Sequence, residues 1–431
     1  MQEILLNQKQ VDTLIQHSEK AGLSESCAML LGTHNDQQWN VKEVLLTRNA
    51  HNDSETSFII APEELLQGHQ LAEKKQLELV GIFHSHPSID ANDIAAINKV
   101  LYTSMLAQGI LCQELEQRFS SWFRADGAVA VSSGSAAIVL ALYGLCVSKG
   151  DEVVLPTYVC TSVLEAVLSV GATPVLCDVG KSWVMTTADA ERCITTRTKA
   201  IIVPHMYGIF SDINSICSLG VSIIEDCAQA LGGEGMQQLM GDVVTLSFHP
   251  TKCLTSGEGG MVISSDPDTI QRMRRFRDGG GSKLAARIFS PMSDIAAALA
   301  ISQADRYSDM LNRRNQIAQH YIKTLESCFP ESLNQTALKQ SMFYRFPIRI
   351  NGGLESCQTA FKQQGIHVRK GVDSLLHRKM GLSDNDFPMA VDLFMDTVSI
   401  PIYPALSAEQ ESRCVDALNH IFSNTINFIR D

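Results

Sequence analysis

The sequence predicts an α/β fold built on a mostly parallel sheet. With 431 residues the chain exceeds one ordinary hydrophobic core, so two or three domains are expected. From about residue 128 to 265, short apolar runs alternate with helical patterns, which is typical of parallel strands buried on both faces. The first ninety residues and the tail follow other patterns. We therefore expect an α/β domain at 1–88, a large domain at 89–305 and a small α+β domain at 306–431.

The apolar runs place the strands of the large domain. They lie at 128–131, 152–155, 174–176, 200–203, 222–224, 243–248 and 260–263. Functional residues of a parallel sheet gather at the carboxyl ends of its strands, where His205, Asp226 and His249 fall. The two histidines could line a site there or be satisfied by local hydrogen bonds.

The C-terminal part has a different pattern. A polar, Gly-rich segment at 277–283 predicts a mobile loop. Beyond it, short runs at 344–350 and 398–403 predict the strands of the small α+β domain.

Composition excludes several classes of protein. The net charge of -12 argues against nucleic-acid and anionic-membrane partners. Apolar residues make up 45% and charged residues 19%, as in globular proteins. The N-terminus has no signal-peptide pattern, and the longest apolar stretch, 136–147, is too short to span a bilayer. Twelve cysteines without CxxC pairs indicate reduced thiols, so we expect a cytoplasmic protein.

Two residues indicate a cofactor. Asp226 ends an apolar strand, and Lys252 follows the next strand beside a Gly-rich turn. Pyridoxal phosphate (PLP) needs a lysine amine for its aldehyde and a carboxylate for its pyridine nitrogen. Between a strand and a helix, Gly134 and Ser135 suit a phosphate at a helix N-terminus. By itself that segment is also explained by a serine-capped helix.

Ordered motifs from Pro87 to the C-terminus resemble the DegT/DnrJ/StrS family of PLP-dependent sugar aminotransferases, a branch of the aspartate-aminotransferase fold. They include Gly171-Ala-Thr-Pro, Val203-Pro-His-Met-Tyr-Gly and Glu225-Asp-Cys-Ala-Gln. Others are the lysine segment, Ser247-Phe-His-Pro-Thr-Lys, and the tail motif Ser399-Ile-Pro-Ile-Tyr-Pro. The resemblance implies a homodimer that transfers an amino group from glutamate or glutamine to a keto sugar, usually attached to a nucleotide. A PLP-dependent lyase or a transaminase for a non-sugar metabolite is the alternative.

The resemblance also assigns roles to residues. Lys252 corresponds to the Schiff-base lysine and Asp226 to the partner of the pyridine nitrogen. Gln229 would contact the phenolic oxygen of the ring. The phosphate would be held by three residues: Ser135, the Ala136 backbone and Ser247.

Two segments depart from the family pattern. Cys160 occupies the position of the aromatic ring that stacks on PLP, with Tyr158 as a substitute after a shift of register. The segment 287–293 lacks the Asn and Arg that the family carries there. That Asn contacts the phosphate of the partner subunit, so this cross-subunit contact is not expected here.

Three N-terminal segments, Glu25-Ser-Cys-Ala-Met-Leu-Leu-Gly, Phe58-Ile-Ile-Ala-Pro and Val80-Gly-Ile-Phe-His-Ser-His-Pro, resemble a JAMM (MPN) metalloprotease domain. The resemblance implies that His84 and His86 bind zinc, that Glu25 activates the bound water and that Asp93 is the third ligand. However, the segment before Asp93 is about four residues shorter than the pattern requires. A truncated domain retained for oligomerisation, or for binding a peptide or ubiquitin-like partner, is favoured over an active zinc isopeptidase.

Overall fold

The computed structural model of the protein describes residues 3–21, 26–34, 38–48, 60–84, 89–232, 240–279 and 290–423. The chain separates into two compact units. One consists of Met1–Asp90 with Ala405–Ser407, and the other of Ala91–Pro404 with Ala408–Asp431. In the described residues, no helix is long and apolar enough to cross a bilayer.

The N-terminal unit is a four-stranded sheet with helices packed against it. Its elements are β1 (Glu3–Leu5), α1 (Gln8–Ala21), β2 (Cys27–His34), β3 (Gln38–Thr47), α2 (Pro62–Lys75) and β4 (Glu78–His84). The strand order is β1-β3-β2-β4, and β2 is antiparallel to both neighbours. Met29 of β2 packs with Ala72 of α2, whereas Ala28 beside it packs with Leu14 of α1. Because successive strand residues point to opposite faces, the unbroken apolar run of β2 fits a sheet covered on both sides.

The second unit is built on a seven-stranded sheet. Its strands are β5 (Gly127–Val131), β6 (Glu152–Pro156), β7 (Thr173–Cys177), β8 (Thr198–Pro204), β9 (Ser222–Asp226), β10 (Val243–Ser247) and β11 (Gly260–Ser264). The order is β5-β11-β10-β9-β8-β6-β7. Strands β10, β9, β8, β6 and β7 are parallel, and β11 is antiparallel to both neighbours. The predicted mostly parallel sheet is confirmed, and every predicted run falls on a strand.

Helices cover both faces of this sheet. They are α3 (Ala91–Thr103), α4 (Ile110–Trp122), α5 (Gly134–Gly144), α6 (Thr161–Ser169), α7 (Thr187–Glu191), α8 (Ile213–Cys217), α9 (Pro267–Asp278) and α10 (Asp294–Asp305). Val129 and Val131 of β5 belong to the core that contains α5, whereas Ala128 and Ala130 face Phe119 of α4. Two interleaved sets of side chains thus give the sheet a core on each side.

The rest of the chain forms a smaller α+β region. Its elements are α11 (Tyr307–Cys328), α12 (Gln335–Lys339), β12 (Phe346–Arg349), α13 (Gly353–Gln363), β13 (Arg369–Lys370), α14 (Leu376–Lys379), α15 (Pro388–Asp396), β14 (Thr397–Ile400) and α16 (Ala408–Ser423). The strands pair antiparallel in the order β12-β14-β13. This agrees with the small α+β region expected from the sequence. The boundaries proposed at 88/89 and 305/306 stay predictions.

The Gly-rich segment begins later than predicted. Helix α9 continues to Asp278, and Gly279, at φ 79°, ends it in the left-handed conformation that favours glycine. The Arg277 side chain is 4% exposed and donates to Glu116 at 2.5 Å and to the Ala130 carbonyl at 3.0 Å. These buried partners hold the last helical turn. The remainder of the predicted loop, 280–283, lies outside the described residues.

Candidate active site

A cavity of ≈ 320 Å³ lies where β8, β9 and β10 end. Ligands of open parallel sheets bind at this edge. Among the cavity-lining residues are most of those singled out from the sequence: Gly134, Ser135, Asp226, Gln229, Ser247 and Lys252. The fold therefore brings together residues from three separate segments of the chain.

The start of α5 forms one end of the cavity. Ser133 is its N-cap, and its hydroxyl accepts a hydrogen bond from the Ala136 N–H at 3.1 Å. Gly134 approaches β10 so closely that a Cβ at this position would lie 2.6 Å from the Ser247 Cβ. The serine-capped helix is thus present. Its N-terminus also lies beside Ser135 and Ser247, which both line the cavity. Ala136 is not among the lining residues, so its contact with phosphate stays a prediction.

Asp226 provides a buried carboxylate at the end of β9. It is 7% exposed, and its Oδ1 accepts a hydrogen bond from the Ala228 N–H at 3.0 Å. Burial raises the pKa of this carboxyl, against the opposing effects of the Ala228 hydrogen bond and the positive charge of Lys252. A cationic nitrogen placed beside the carboxylate would relieve that cost.

His205 is satisfied by local hydrogen bonds although it lines the cavity. Its Nδ1 accepts from the Ser211 N–H at 3.2 Å, so Nε2 carries the proton and donates to Glu225 at 3.2 Å. Glu225 also accepts from the Gly241 N–H at 2.6 Å. Burial raises the pKa of Glu225, but His205 and the backbone donors outweigh it, so the pKa is lowered. This network holds the ends of β8 and β9 together beside Asp226.

Gln229 lies in the turn that follows β9, where the Ala230 N–H donates to the Cys227 carbonyl at 3.0 Å. Its Oε1 accepts a hydrogen bond from the Tyr207 N–H at 2.9 Å. Tyr207 is fully buried and has a φ of 60°, a strained conformation for a residue other than glycine. The Gln229 side chain thus stabilises an unusual backbone conformation at the cavity.

Lys252 lies in the turn after β10, and its N–H donates to the His249 carbonyl at 2.8 Å. Its Nζ lies 5.6 Å from the centroid of the Tyr344 ring. The Tyr344 hydroxyl donates to the carbonyl of Thr251, the residue before the lysine, at 3.0 Å. Burial raises the pKa of Tyr344, but the charges of Lys252 and Arg345 outweigh it and leave the pKa lowered.

Comparison with known proteins agrees with this geometry. Residues 87–419 match the DegT/DnrJ/EryC1/StrS aminotransferase family. The chain belongs to this family. It is a PLP-dependent aminotransferase, as the sequence predicted. Residues 7–110 match the prokaryotic homologs of the JAB domain, which confirms the second resemblance.

Individual relatives cover the same part of the chain. GDP-perosamine synthase of Escherichia coli O157:H7 is 29% identical over 357 residues, which are 78% of this chain and 98% of the relative. The aminotransferase of Psychrobacter cryohalolentis has a TM-score of 0.73 at 23% identity, covering 80% of this chain and 99% of that one. DesV of S. venezuelae has a TM-score of 0.72 at 25% identity, covering 84% and 98%.

Cys160, at which this chain departs from the family pattern, lies at the cavity. Cys160 is exposed, lines the cavity and precedes α6, with its Sγ 3.3 Å from the Ser162 hydroxyl. Tyr158 is fully buried, and its hydroxyl is hydrogen-bonded to that of Tyr207 at 2.9 Å. Tyr158 is absent from the cavity-lining residues, which argues against Tyr158 as the substitute for the stacking ring. Among the described lining residues there is no Phe, Tyr or Trp.

The residues present fit PLP. A Cβ at Gly134 would clash with Ser247, so glycine allows the start of α5 to lie against β10, and Asp226 is a buried carboxylate with a raised pKa. Lys252 and Asp226 line the same cavity. A phosphate site, an acid for the pyridine nitrogen and an amine for the aldehyde are therefore all available.

Sequence reasoning missed Tyr344 and Arg314. Tyr344 was assigned only to a C-terminal strand, yet it contacts the segment of Lys252. Arg314 is 6% exposed and donates to the carbonyls of Tyr344 and Ile402 at 3.0 and 2.8 Å. Neither residue lies in a local pattern that indicates PLP chemistry, because both act across distant parts of the sequence.

The predicted zinc ligands are only partly described. His84 is the last residue of β4, and its side chain, like His86 and Glu25, lies outside the described residues. Asp93 lies in α3 and is fully buried. Its Oδ2 accepts from Gln303 at 2.7 Å and from Arg306 at 2.5 Å. A role of Asp93 as third zinc ligand stays a prediction.

Proposed function

We propose that this protein transfers an amino group from glutamate or glutamine to a keto sugar that is linked to a nucleotide, or to a similar carbonyl acceptor. The observation that carries the proposal is the placement of Lys252 and Asp226 on one cavity at the carboxyl ends of β8, β9 and β10. The name of the Escherichia coli relative, GDP-perosamine synthase, supports a nucleotide-sugar acceptor.

Each residue has a role in this chemistry. PLP, when bound, supplies an electron sink for the negative charge that develops on the donor's α-carbon. Asp226 would keep the pyridine nitrogen protonated, and Gln229 would contact the phenolic oxygen. The start of α5, with Ser135 and Ser247, would bind the phosphate. The Lys252 amine, once displaced by the donor, would move a proton between the α-carbon and the cofactor carbon.

A homodimer and a cytoplasmic location complete the proposal. The end of α3, the segment after it and the start of α4 expose apolar side chains, with Tyr102 at 90%, Met105 at 70% and Ile110 at 76% exposure. Apolar surface of this kind is typical of interaction sites and supports association of two copies. None of the cysteines in the described residues forms a disulfide, which supports a reducing compartment.

The test is a half-reaction. Purified protein reconstituted with PLP should show a visible absorption band that glutamate or glutamine converts to that of pyridoxamine phosphate. Lys252→Ala should abolish the band and the conversion, whereas Lys149→Ala, at an exposed lysine, should leave both unchanged. The amine form should then aminate a nucleotide-linked keto sugar. Release of an elimination product instead would indicate a lyase, and amination of 2-oxo acids alone would indicate a transaminase for a non-sugar metabolite.

For the N-terminal unit we propose the binding of a peptide or ubiquitin-like partner. The match of residues 7–110 to JAB-domain homologs supports it. The hydrogen bond from Arg306 to Asp93 favours this role over zinc-dependent hydrolysis. Elemental analysis of protein made without chelators decides between them. One zinc per chain, lost in His84→Ala, would instead support a metal site at His84 and His86.

A further inference from the structure

Tyr344 reaches the segment of the proposed catalytic lysine from outside the seven-stranded sheet. It precedes β12, the first strand of the smaller sheet, and is 7% exposed. Its backbone is held in place because the buried Arg314 guanidinium donates to the Tyr344 carbonyl at 3.0 Å and to the Phe343 carbonyl at 3.3 Å. Arg314 therefore fixes the backbone from which the Tyr344 ring extends.

Tyr344 contacts both ends of the lysine segment. Its hydroxyl donates to the Thr251 carbonyl at 3.0 Å and so anchors the backbone just before Lys252. Its ring face lies 5.6 Å from the Lys252 Nζ, within the distance at which an ammonium is attracted by an aromatic ring. One side chain thus contacts the backbone at the base of the lysine and the amine at its tip.

A lysine side chain has four rotatable bonds and loses much conformational freedom when it is fixed. In the proposed reaction the Lys252 amine is detached from the cofactor during the very step in which it must carry a proton. A group that then holds the amine near the cavity lowers the entropic cost of bringing the amine into its reactive position.

We propose that Tyr344 is a positioning residue that holds the detached Lys252 amine beside the cavity through its ring and the Thr251 carbonyl, just before Lys252, through its hydroxyl. The inference rests on the proposed function, which assigns the proton transfer to Lys252. Tyr344 itself is not among the cavity-lining residues, so it acts through the lysine.

Two variants separate the contacts. Tyr344→Phe removes the hydroxyl and keeps the ring, and Tyr344→Leu removes both. Tyr321→Phe is the matched control, because Tyr321 is also fully buried and also donates to a backbone carbonyl, that of Pro401, at 2.9 Å. If loss of a buried phenol hydrogen bond acted only through general stability, Tyr321→Phe and Tyr344→Phe would behave alike.

The first measurement needs no cofactor. The rate at which an amine-acylating reagent labels Lys252 in the apo-protein is followed by mass spectrometry, with the exposed Lys149 as the internal reference. Because the ring face lies 5.6 Å from the Lys252 Nζ and hinders the approach of a reagent from that side, Lys252 should be labelled several-fold faster relative to Lys149 in Tyr344→Leu. An unchanged ratio would overturn the proposal.

The second measurement is the single-turnover rate of the half-reaction with glutamate. Tyr344→Leu should slow it by roughly tenfold, and Tyr344→Phe by about threefold, while the Kd for PLP changes less than about twofold. Equal rates in wild type and both variants would refute the positioning role. If Tyr344→Leu does not fold, an unchanged rate in Tyr344→Phe would refute it. If wild type shows no half-reaction, the proposed function fails, and the labelling ratio still tests the contact between Tyr344 and Lys252.

Discussion

Replacement of Asp226 by asparagine tests the electrostatic design of the site most directly. The amide has nearly the same shape and keeps an oxygen to accept the Ala228 N–H bond, now 3.0 Å long. The substitution removes the negative charge of the Asp226 carboxyl, which is 7% exposed and whose pKa is raised by burial. The substitution therefore removes the proposed ionic partner of the pyridine nitrogen without creating a cavity.

The expected magnitude follows from the burial of the pair. Removing one partner of a buried ion pair costs about 3 kcal/mol or more, which corresponds to roughly a 100-fold weaker Kd for PLP. The half-reaction should slow by at least about 100-fold as well, because the nitrogen is no longer held in its protonated form. The apo-protein should behave in the opposite way and be as stable as wild type, or more stable, since a buried charge without a bound cation is gone.

Equilibrium titration with PLP and thermal unfolding of the apo-protein measure the two effects separately. The direction in which stability changes with pH gives a further test. With the Asp226 pKa raised, the folded state binds its proton more tightly than the unfolded state does, so this group lowers stability as pH rises above its ordinary pKa of 3.8. The stability advantage of Asp226→Asn should therefore vanish at low pH and grow towards neutrality. Unchanged PLP affinity, or an apo-protein markedly less stable than wild type at neutral pH, would refute this reasoning.

Three further outcomes test the cavity. Gly134→Ala should cost about 1–3 kcal/mol in urea unfolding and weaken PLP binding, because its Cβ would lie 2.6 Å from the Ser247 Cβ; unchanged stability would contradict this close approach. PLP should protect Cys160 from alkylation while the other exposed cysteine, Cys146, reacts at the same rate with and without cofactor; equal protection of both would place Cys160 away from the ligand. Glu225→Gln should lower the stability of the protein at pH 7. Since the Glu225 pKa is lowered from 4.5, the difference in stability from wild type should shrink as pH falls below that value. A difference independent of pH would show that the charge of Glu225 does not contribute to stability.

Local patterns were sufficient for much of the fold. Continuous apolar runs predicted each strand of the seven-stranded sheet, because a strand buried on both faces has no polar side to alternate with. The same periodicity placed Asp226 at the end of β9, and parallel strands share one functional edge. Arg277 was the exception, since its burial depends on Glu116 from a distant helix.

Long-range packing decided the remainder of the site. Local spacing could not tell whether Cys160 or Tyr158 faces the cavity. In the structure Cys160 lines the cavity, whereas Tyr158 is buried and hydrogen-bonded to Tyr207. The left-handed backbone of Tyr207 depends on the side chain of Gln229. Such features arise from contacts between residues far apart in the chain, for which local spacing carries no signal.

By itself, the sequence determined the α/β class, the family and the cofactor, and it predicted the two residues that PLP chemistry requires, Lys252 and Asp226. These depend on short apolar periods and on residue types adjacent in the chain. Only the tertiary structure decided that Tyr344 lies against Lys252, that Cys160 faces the cavity and that Asp93 pairs with Arg306. The physical reason is that these contacts join segments whose spacing is fixed only when the sheets and helices have packed together.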